Sequence, residues 1–166
     1  MVLAQFFRAI SSVFEIIADR ENNTKKIFLY NGIYNLLCSV QYFLLGAFTG
    51  GICSILAIVR NIIFLMCKNK KTLFVVLPIY FLAVILISIG EFDGLISVIP
   101  ILLIMMYSTA LAIGNVYLLK YVIILVMLLE MFYDYYCKAY VGILVCLVDI
   151  VIVSISIVKL KKELKK

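Results

Sequence analysis

Histidine and tryptophan are both absent from this chain, and charge is scarce. Without histidine, imidazole-based acid–base catalysis and most zinc and haem sites are excluded. Only 14% of the 166 residues are charged, against about 25% in soluble domains. So few charges cannot coat a water-facing surface, so most of the surface must meet lipid. Five cysteines are present, with no CxxC spacing, and they read as small apolar residues at helix contacts. No nucleophile–base pair, metal motif or Gly-rich phosphate loop stands out. The expectation is therefore no enzyme, no catalytic residue, no metal and no cofactor. Lys and Arg outnumber Asp and Glu by 15 to 9, but the basic residues sit between or after apolar runs. That distribution argues against nucleic acid as a partner. No cleavable signal peptide is evident, because Arg8 and Glu15 interrupt the first segment.

Long apolar runs are what the chain does have, at 66% hydrophobic residues. Six runs read as membrane spans: 27–48, 51–67, 72–89, 95–113, 117–136 and 139–158. A seventh, 2–18, is weaker. Its apolar face would be Val2, Leu3, Phe6, Phe7, Ile10, Val13, Phe14 and Ile17, with Arg8, Glu15 and Asp19 against it. A surface-lying helix and a spanning helix both fit, and the reading leans towards spanning. Pro78 and Pro100 fall inside the fourth and fifth runs, and Gly114–Asn115 breaks the fifth from the sixth. Lysines collect on one side: Lys25 and Lys26, then Lys68, Lys70 and Lys71, then Lys120, then the tail from Lys159. By the positive-inside rule the C-terminus is cytoplasmic and the N-terminus outside.

Within the runs, a few polar residues occupy hydrocarbon depth. Asn31, Asn35, Cys38, Gln41 and Tyr42 share one face of the second run. Cys53, Ala57, Arg60 and Phe64 share a face of the third, and Gly142, Cys146, Asp149 and Val153 a face of the seventh. Met127, Glu130 and Asp134 line the sixth, with Asp134 expected as a solvated end group. Tyr133, Tyr135, Tyr136 and Tyr140 read as interface anchors. A charge at such depth costs several kcal/mol unless it faces protein or water. Asn35, Gln41, Arg60, Glu130 and Asp149 are therefore the candidates for lining a substrate cavity. Arg60 and Asp149 lie at similar depth and are expected to pair. The competing view is that these groups only hold helices together.

A shift of 89 positions lays Gln41 on Glu130 and Arg60 on Asp149. The implied fold is an all-α integral membrane protein of about seven transmembrane helices. It forms one polytopic domain over 1–166: a three-helix repeat at about 2–67, a linking helix at about 72–89, and a second, parallel repeat at about 95–160. This plan is similar to that of SWEET-type sugar transporters. The Pro-Gln dipeptide of their PQ-loop relatives is missing, since Val40 precedes Gln41.

The run Gln41-Tyr42-Phe43-Leu44-Leu45-Gly46-Ala47-Phe48-Thr49-Gly50-Gly51, followed by Arg60-Asn61, is more specific. It resembles the YgjV-type family of bacterial inner membrane proteins. The likeness is sharp over about 27–66 and diffuse elsewhere. Later helices of the family often carry tryptophan, where this chain has Tyr133, Tyr135 and Tyr136. The resemblance implies the inner membrane and no established activity. Taken with the polar layer, the expected function is a small secondary transporter or facilitator of a small polar metabolite. The alternative is a non-transporting, partner-binding membrane protein whose polar residues only pack the helices. The lipid bilayer is the sure partner, and a homo-oligomer is compatible with the pattern.

Overall fold

The computed structural model describes residues 1–20, 24–67, 70–90 and 94–163. The charged connections expected at 19–26, 68–71 and 90–94, and the end of the tail, lie partly outside them. Seven α-helices are described: α1 (Val2–Arg20), α2 (Thr24–Leu44), α3 (Phe48–Met66), α4 (Lys70–Ile89), α5 (Val98–Ile113), α6 (Val116–Tyr136) and α7 (Tyr140–Glu163). A 3-10 turn, Leu95–Ser97, leads into α5. No strand occurs among the described residues.

Burial is inverted relative to a soluble protein. Phe6 and Val13 on α1, Phe74 and Ile79 on α4, and Leu144 and Ile155 on α7 are exposed. Arg8, Ser11, Gln41, Arg60, Asp134 and Asp149 are buried. Lipid dictates this arrangement: apolar side chains meet acyl chains, and polar ones seek protein. Helices keep every interior backbone bond within the segment, so they are the element that tolerates such a solvent. Phe48–Met66, Leu95–Ile113 and Tyr140–Val158 are each long and apolar enough to cross a membrane, and Thr72–Ser88 is a shorter apolar helix.

The helices pack in chain order. α1 lies on α2 and α2 on α3, while α5 lies on α6 and α6 on α7. The two groups of three meet through α3 against α5 and α1 against α7. α4 is applied to α3 and α5. Leu73, Leu77, Tyr80 and Val84 of α4 join Ala57, Ile104 and Ala112 in one apolar cluster. The Tyr80 hydroxyl donates to the Leu56 carbonyl at 2.9 Å, which ties α4 to α3.

α1 is part of the bundle and carries its polar stripe inwards. Ala4, Arg8, Ser11 and Ala18 are buried, while Val2, Leu3, Phe6, Val13 and Ile17 are exposed. A helix resting on a membrane surface would turn the opposite face to water. The N-terminal end of α1 sits beside the α6–α7 turn. Gln5 Nε2 donates to the Lys138 carbonyl at 2.8 Å, and the Val141 N–H donates to Gln5 Oε1 at 3.0 Å.

The α2–α3 and α6–α7 connections share one geometry. Gly46 has φ +74° and Lys138 has φ +60°. The Ala47 N–H donates to the Tyr42 carbonyl at 2.9 Å, and the Ala139 N–H to the Asp134 carbonyl at 2.8 Å. Glycine adopts this left-handed conformation without steric cost, whereas a lysine there costs about 1–2 kcal/mol. The bond from Gln5 to the Lys138 carbonyl helps to hold the lysine in place. Gly114 ends α5 in the left-handed region, and Asn115 caps α6 by accepting from the Tyr117 and Leu118 N–H groups. Pro78 lies inside α4. Pro100 falls in the first turn of α5, where a missing N–H costs no helical bond.

Candidate functional site

A buried ion pair is built around Arg8. Its Nη2 donates to Glu130 Oε1 at 3.1 Å, and its Nη1 donates to the Tyr34 hydroxyl at 3.0 Å and to Cys38 Sγ at 2.9 Å. The guanidinium also lies 5.5 Å from the centre of the Tyr34 ring. α1, α2 and α6 each supply one side of this nest. Arg8 is 1% exposed and Glu130 16%. Asp134 lies one turn from Glu130 on α6, and the Tyr42 hydroxyl donates to its Oδ1 at 2.8 Å. Glu130, Asp134 and Cys146 bring three ligand-type atoms within 4.8 Å of one another. The cation that serves this cluster is Arg8, whose Nη2 reaches both Glu130 and, at 4.0 Å, Cys146 Sγ. Gly142 makes the approach of α7 feasible. A Cβ there would collide with the Asp134 carboxylate and come within 3.3 Å of Arg8 Nε.

Arg60 is treated differently. Its Nε and Nη2 donate to Oδ1 of neighbouring Asn61, at 3.2 and 3.0 Å. Its guanidinium carbon lies 4.8 Å from the centre of the Tyr107 ring on α5, a cation–π contact. Its electrostatic neighbours are tyrosines, Tyr107, Tyr80 and Tyr34. The pairing expected with Asp149 is not what Arg60 makes. Asp149 is buried on α7. Equal depth on two helices says nothing about the direction in which each side chain leaves its helix.

A cavity of about 190 Å³ lies between α1, α2, α3, α5, α6 and α7. Arg60, Glu130 and Asn35 are on its wall, with Tyr34, Tyr107 and Cys53. Asn35 spends its amide locally, donating to the carbonyl and the side-chain oxygen of Asn31. A second cavity, about 230 Å³, lies at the end of the bundle that carries the α2–α3 and α6–α7 turns, against Ala47, Ile96 and Lys138. Tyr133 lines both. Its hydroxyl accepts from the Gly50 N–H at 3.0 Å, and its ring meets Tyr42 edge-on with centroids 5.5 Å apart. A Cβ at Gly50 would come within 2.6 Å of that hydroxyl.

A family model described as "Bacterial inner membrane protein", Imp-YgjV, matches residues 2–164. The chain belongs to this family. No curated protein and no solved structure matches it. Membership in Imp-YgjV covers both halves of the chain, including the later helices where the sequence likeness was diffuse. It agrees with the all-helical, lipid-facing fold and assigns no activity to either cavity.

Of the five candidate residues, Asn35, Arg60 and Glu130 meet on one cavity wall. Gln41 and Asp149 are buried away from that lining. Neither side-chain atom of the Gln41 amide finds a hydrogen-bond partner among the described residues. Arg8, Tyr34, Tyr42 and Tyr107 were not among the candidates. Arg8 had a readable signal: Ala4, Arg8, Ser11, Glu15 and Ala18 follow 4-3-4-3 spacing, a stripe of small and polar residues on one helix face. Two rim residues need correcting. Asp134 is fully buried rather than a solvated end group, because Tyr42, Arg8 and α7 close over it. Tyr133 is buried beside Gly50, whereas Tyr135, Tyr136 and Tyr140 are exposed as anchors should be.

Proposed function

We propose that the chain is a small transporter or facilitator of a small polar metabolite, working between two three-helix halves. The observation that carries this reading is the pair of cavities stacked along the bundle with Tyr133 between them. A pathway closed at one gate leaves such a pair. Rocking of the halves would draw Tyr133 on α6 away from Gly50 on α3 and join the two spaces. The lining mixes charged, amide and aromatic groups with apolar ones, as small-molecule sites do.

The two halves are, on this proposal, parallel repeats. Support comes from the element boundaries. α6 begins and ends 92 positions after α2, Thr24 to Val116 and Leu44 to Tyr136, and α7 begins 92 after α3, Phe48 to Tyr140. The left-handed residues Gly46 and Lys138 keep the same interval, as do the close-packed glycines Gly50 and Gly142. The α3–α5 and α1–α7 contacts would exchange under a two-fold axis along the membrane normal. A register of 92 differs from the 89 of the polar match by nearly one helical turn, so either keeps similar faces in line.

We also propose that the N-terminus lies outside and the C-terminus in the cytoplasm. The lysine-bearing connections then share the C-terminal side. A competing role for part of the polar layer has its own support. The Arg8–Glu130 and Tyr42–Asp134 contacts are those of a structural lock.

Transport is tested with purified protein in liposomes, screened for uptake of small polar metabolites. Wild type is expected to take up at least one, and Glu130→Gln, which leaves Arg8 without its acid and is therefore scored per folded molecule, to lose most of that uptake. Folded wild-type protein that moves no solute of the panel would overturn the reading.

A further inference from the structure

Among the described residues, no carboxylate forms an ion pair with Arg60. Arg60 is 4% exposed, on the wall of the central cavity, and the two carboxylates on the same wall, Glu15 and Glu130, are not among its electrostatic neighbours. Glu130 is held by Arg8. The hydrogen bonds of Arg60 go to a single acceptor atom, Asn61 Oδ1, although a guanidinium offers five N–H donors in a planar fork. A buried charge is costly when nothing of opposite sign answers it, and the cost is greatest at membrane depth. α3 begins at Phe48, so Arg60 lies about 18 Å along the helix axis from that end, well inside a core of about 30 Å. Tyr107 lies against one part of the group, and the cavity remains beside it.

We infer that the central cavity takes a small monocarboxylate, its anionic head on the Arg60 guanidinium and its body against Ile104, Val126 and Val153. This deepens the transport reading, because it names the substrate class of the same cavity. A carboxylate matches the fork of a guanidinium in two parallel hydrogen bonds, and each is stronger for being charged. Size bounds the rest. An apolar cavity of about 150 Å³ holds benzene, so about 190 Å³ accommodates about eight non-hydrogen atoms by proportion. The carboxylate of Glu130 repels an anionic head from its own part of the wall and so fixes the orientation. Asn31 and Asn35 on α2 supply amide groups for a hydroxyl or carbonyl on the body.

The experiment compares three probes of matched size, 3-hydroxybutyrate, its amide and the corresponding ammonium compound, by titration calorimetry on the purified wild-type protein in nanodiscs. The carboxylate should bind more than tenfold tighter than either analogue. Arg60→Gln should abolish that preference, and Arg60→Lys, which keeps the charge and loses the fork, should retain it with weaker binding. Equal binding of carboxylate and amide, tighter binding of the ammonium compound, or no binding of any probe overturns the inference. The wild-type comparison stands even if a variant fails to fold. Uptake of the same probes into liposomes separates the two readings. Arg60-dependent binding of the carboxylate without uptake leaves the anion site standing and removes transport. Uptake of the amide in preference to the carboxylate leaves transport standing and removes the anion site.

Discussion

Arg8 and Arg60 carry the same guanidinium and meet opposite surroundings. Arg8 is answered by Glu130 and by the hydroxyl and thiol of Tyr34 and Cys38. Removing it strands a carboxylate in a nest built for a pair. Arg8→Leu is therefore expected to destabilise the fold by about 3–5 kcal/mol, whereas replacing both Arg8 and Glu130 by apolar residues should recover part of the loss. Thermal denaturation in detergent measures both, and a double variant no better than the single one would count against the pair. Gln41 poses the reverse case. Its amide is fully buried with no partner for nitrogen or oxygen among the described residues. Each unmet group costs about 1–3 kcal/mol. Gln41→Met, close in volume and apolar, should leave stability unchanged or raise it by about 1 kcal/mol. A marked fall in denaturation temperature would mean that the amide has a partner in the membrane after all. These residues were legible from sequence as polar groups at depth. Their partners were not, because depth is one coordinate and pairing needs the rotation of each helix as well.

At the scale of the element, the helix faces were largely readable. The stripes Asn35–Cys38–Tyr42 on α2, Cys53–Ala57–Arg60 on α3 and Gly142–Cys146–Asp149 on α7 are all buried. In a lipid-facing helix the rare polar or small residue marks the inside, so the pattern identifies the contact face directly. For α1 the sequence left a surface-lying and a spanning placement open, because Arg8, Glu15 and Asp19 interrupt its apolar face, and leaned towards spanning. Its large apolar residues are turned out, and the small and polar stripe faces α2 and α7. The end of α6 was misread. Tyr133 and Asp134 are near a terminus in sequence, yet the starts of α3 and α7 reach over them at Gly50 and Gly142. Two glycines thus bring the helix ends together. Gly142→Ala should be poorly tolerated, since its Cβ would strike the Asp134 carboxylate. Lost folded yield, with Leu144→Ala as an exposed-side control on the same helix, checks this. Tyr133 carries the functional consequence. Tyr133→Ala should join the two cavities and let a membrane-impermeant thiol reagent, added from the side of the α2–α3 turn, label Cys53 on the central wall. Labelling no faster than in wild type would mean that something other than Tyr133 divides the spaces.

For the whole molecule, the arrangement of helices decides which termini share a face. The start of α1 is bonded to the α6–α7 turn through Gln5. Ile96, just before α5, and Ala47, just before α3, both pack against the cluster of Cys38, Tyr42 and Tyr133. These contacts gather the beginnings of α1, α3, α5 and α7 at one end of the bundle, and the last helix then ends at the other. An even number of crossings would bring both termini to the same side, and the Gln5–Lys138 contact would have to break. On the proposed orientation the lysine-bearing end is the cytoplasmic one, because cytoplasmic connections retain lysines. A reporter that fluoresces only in the cytoplasm should therefore be bright at the C-terminus and dark at the N-terminus. A reporter that folds only outside should give the opposite pattern. Brightness at both ends would remove α1 from the membrane, and with it the inward path of Arg8 to Glu130. The exchange of the two patterns would leave the bundle intact and reverse it in the bilayer, so that the central cavity would load from the other side.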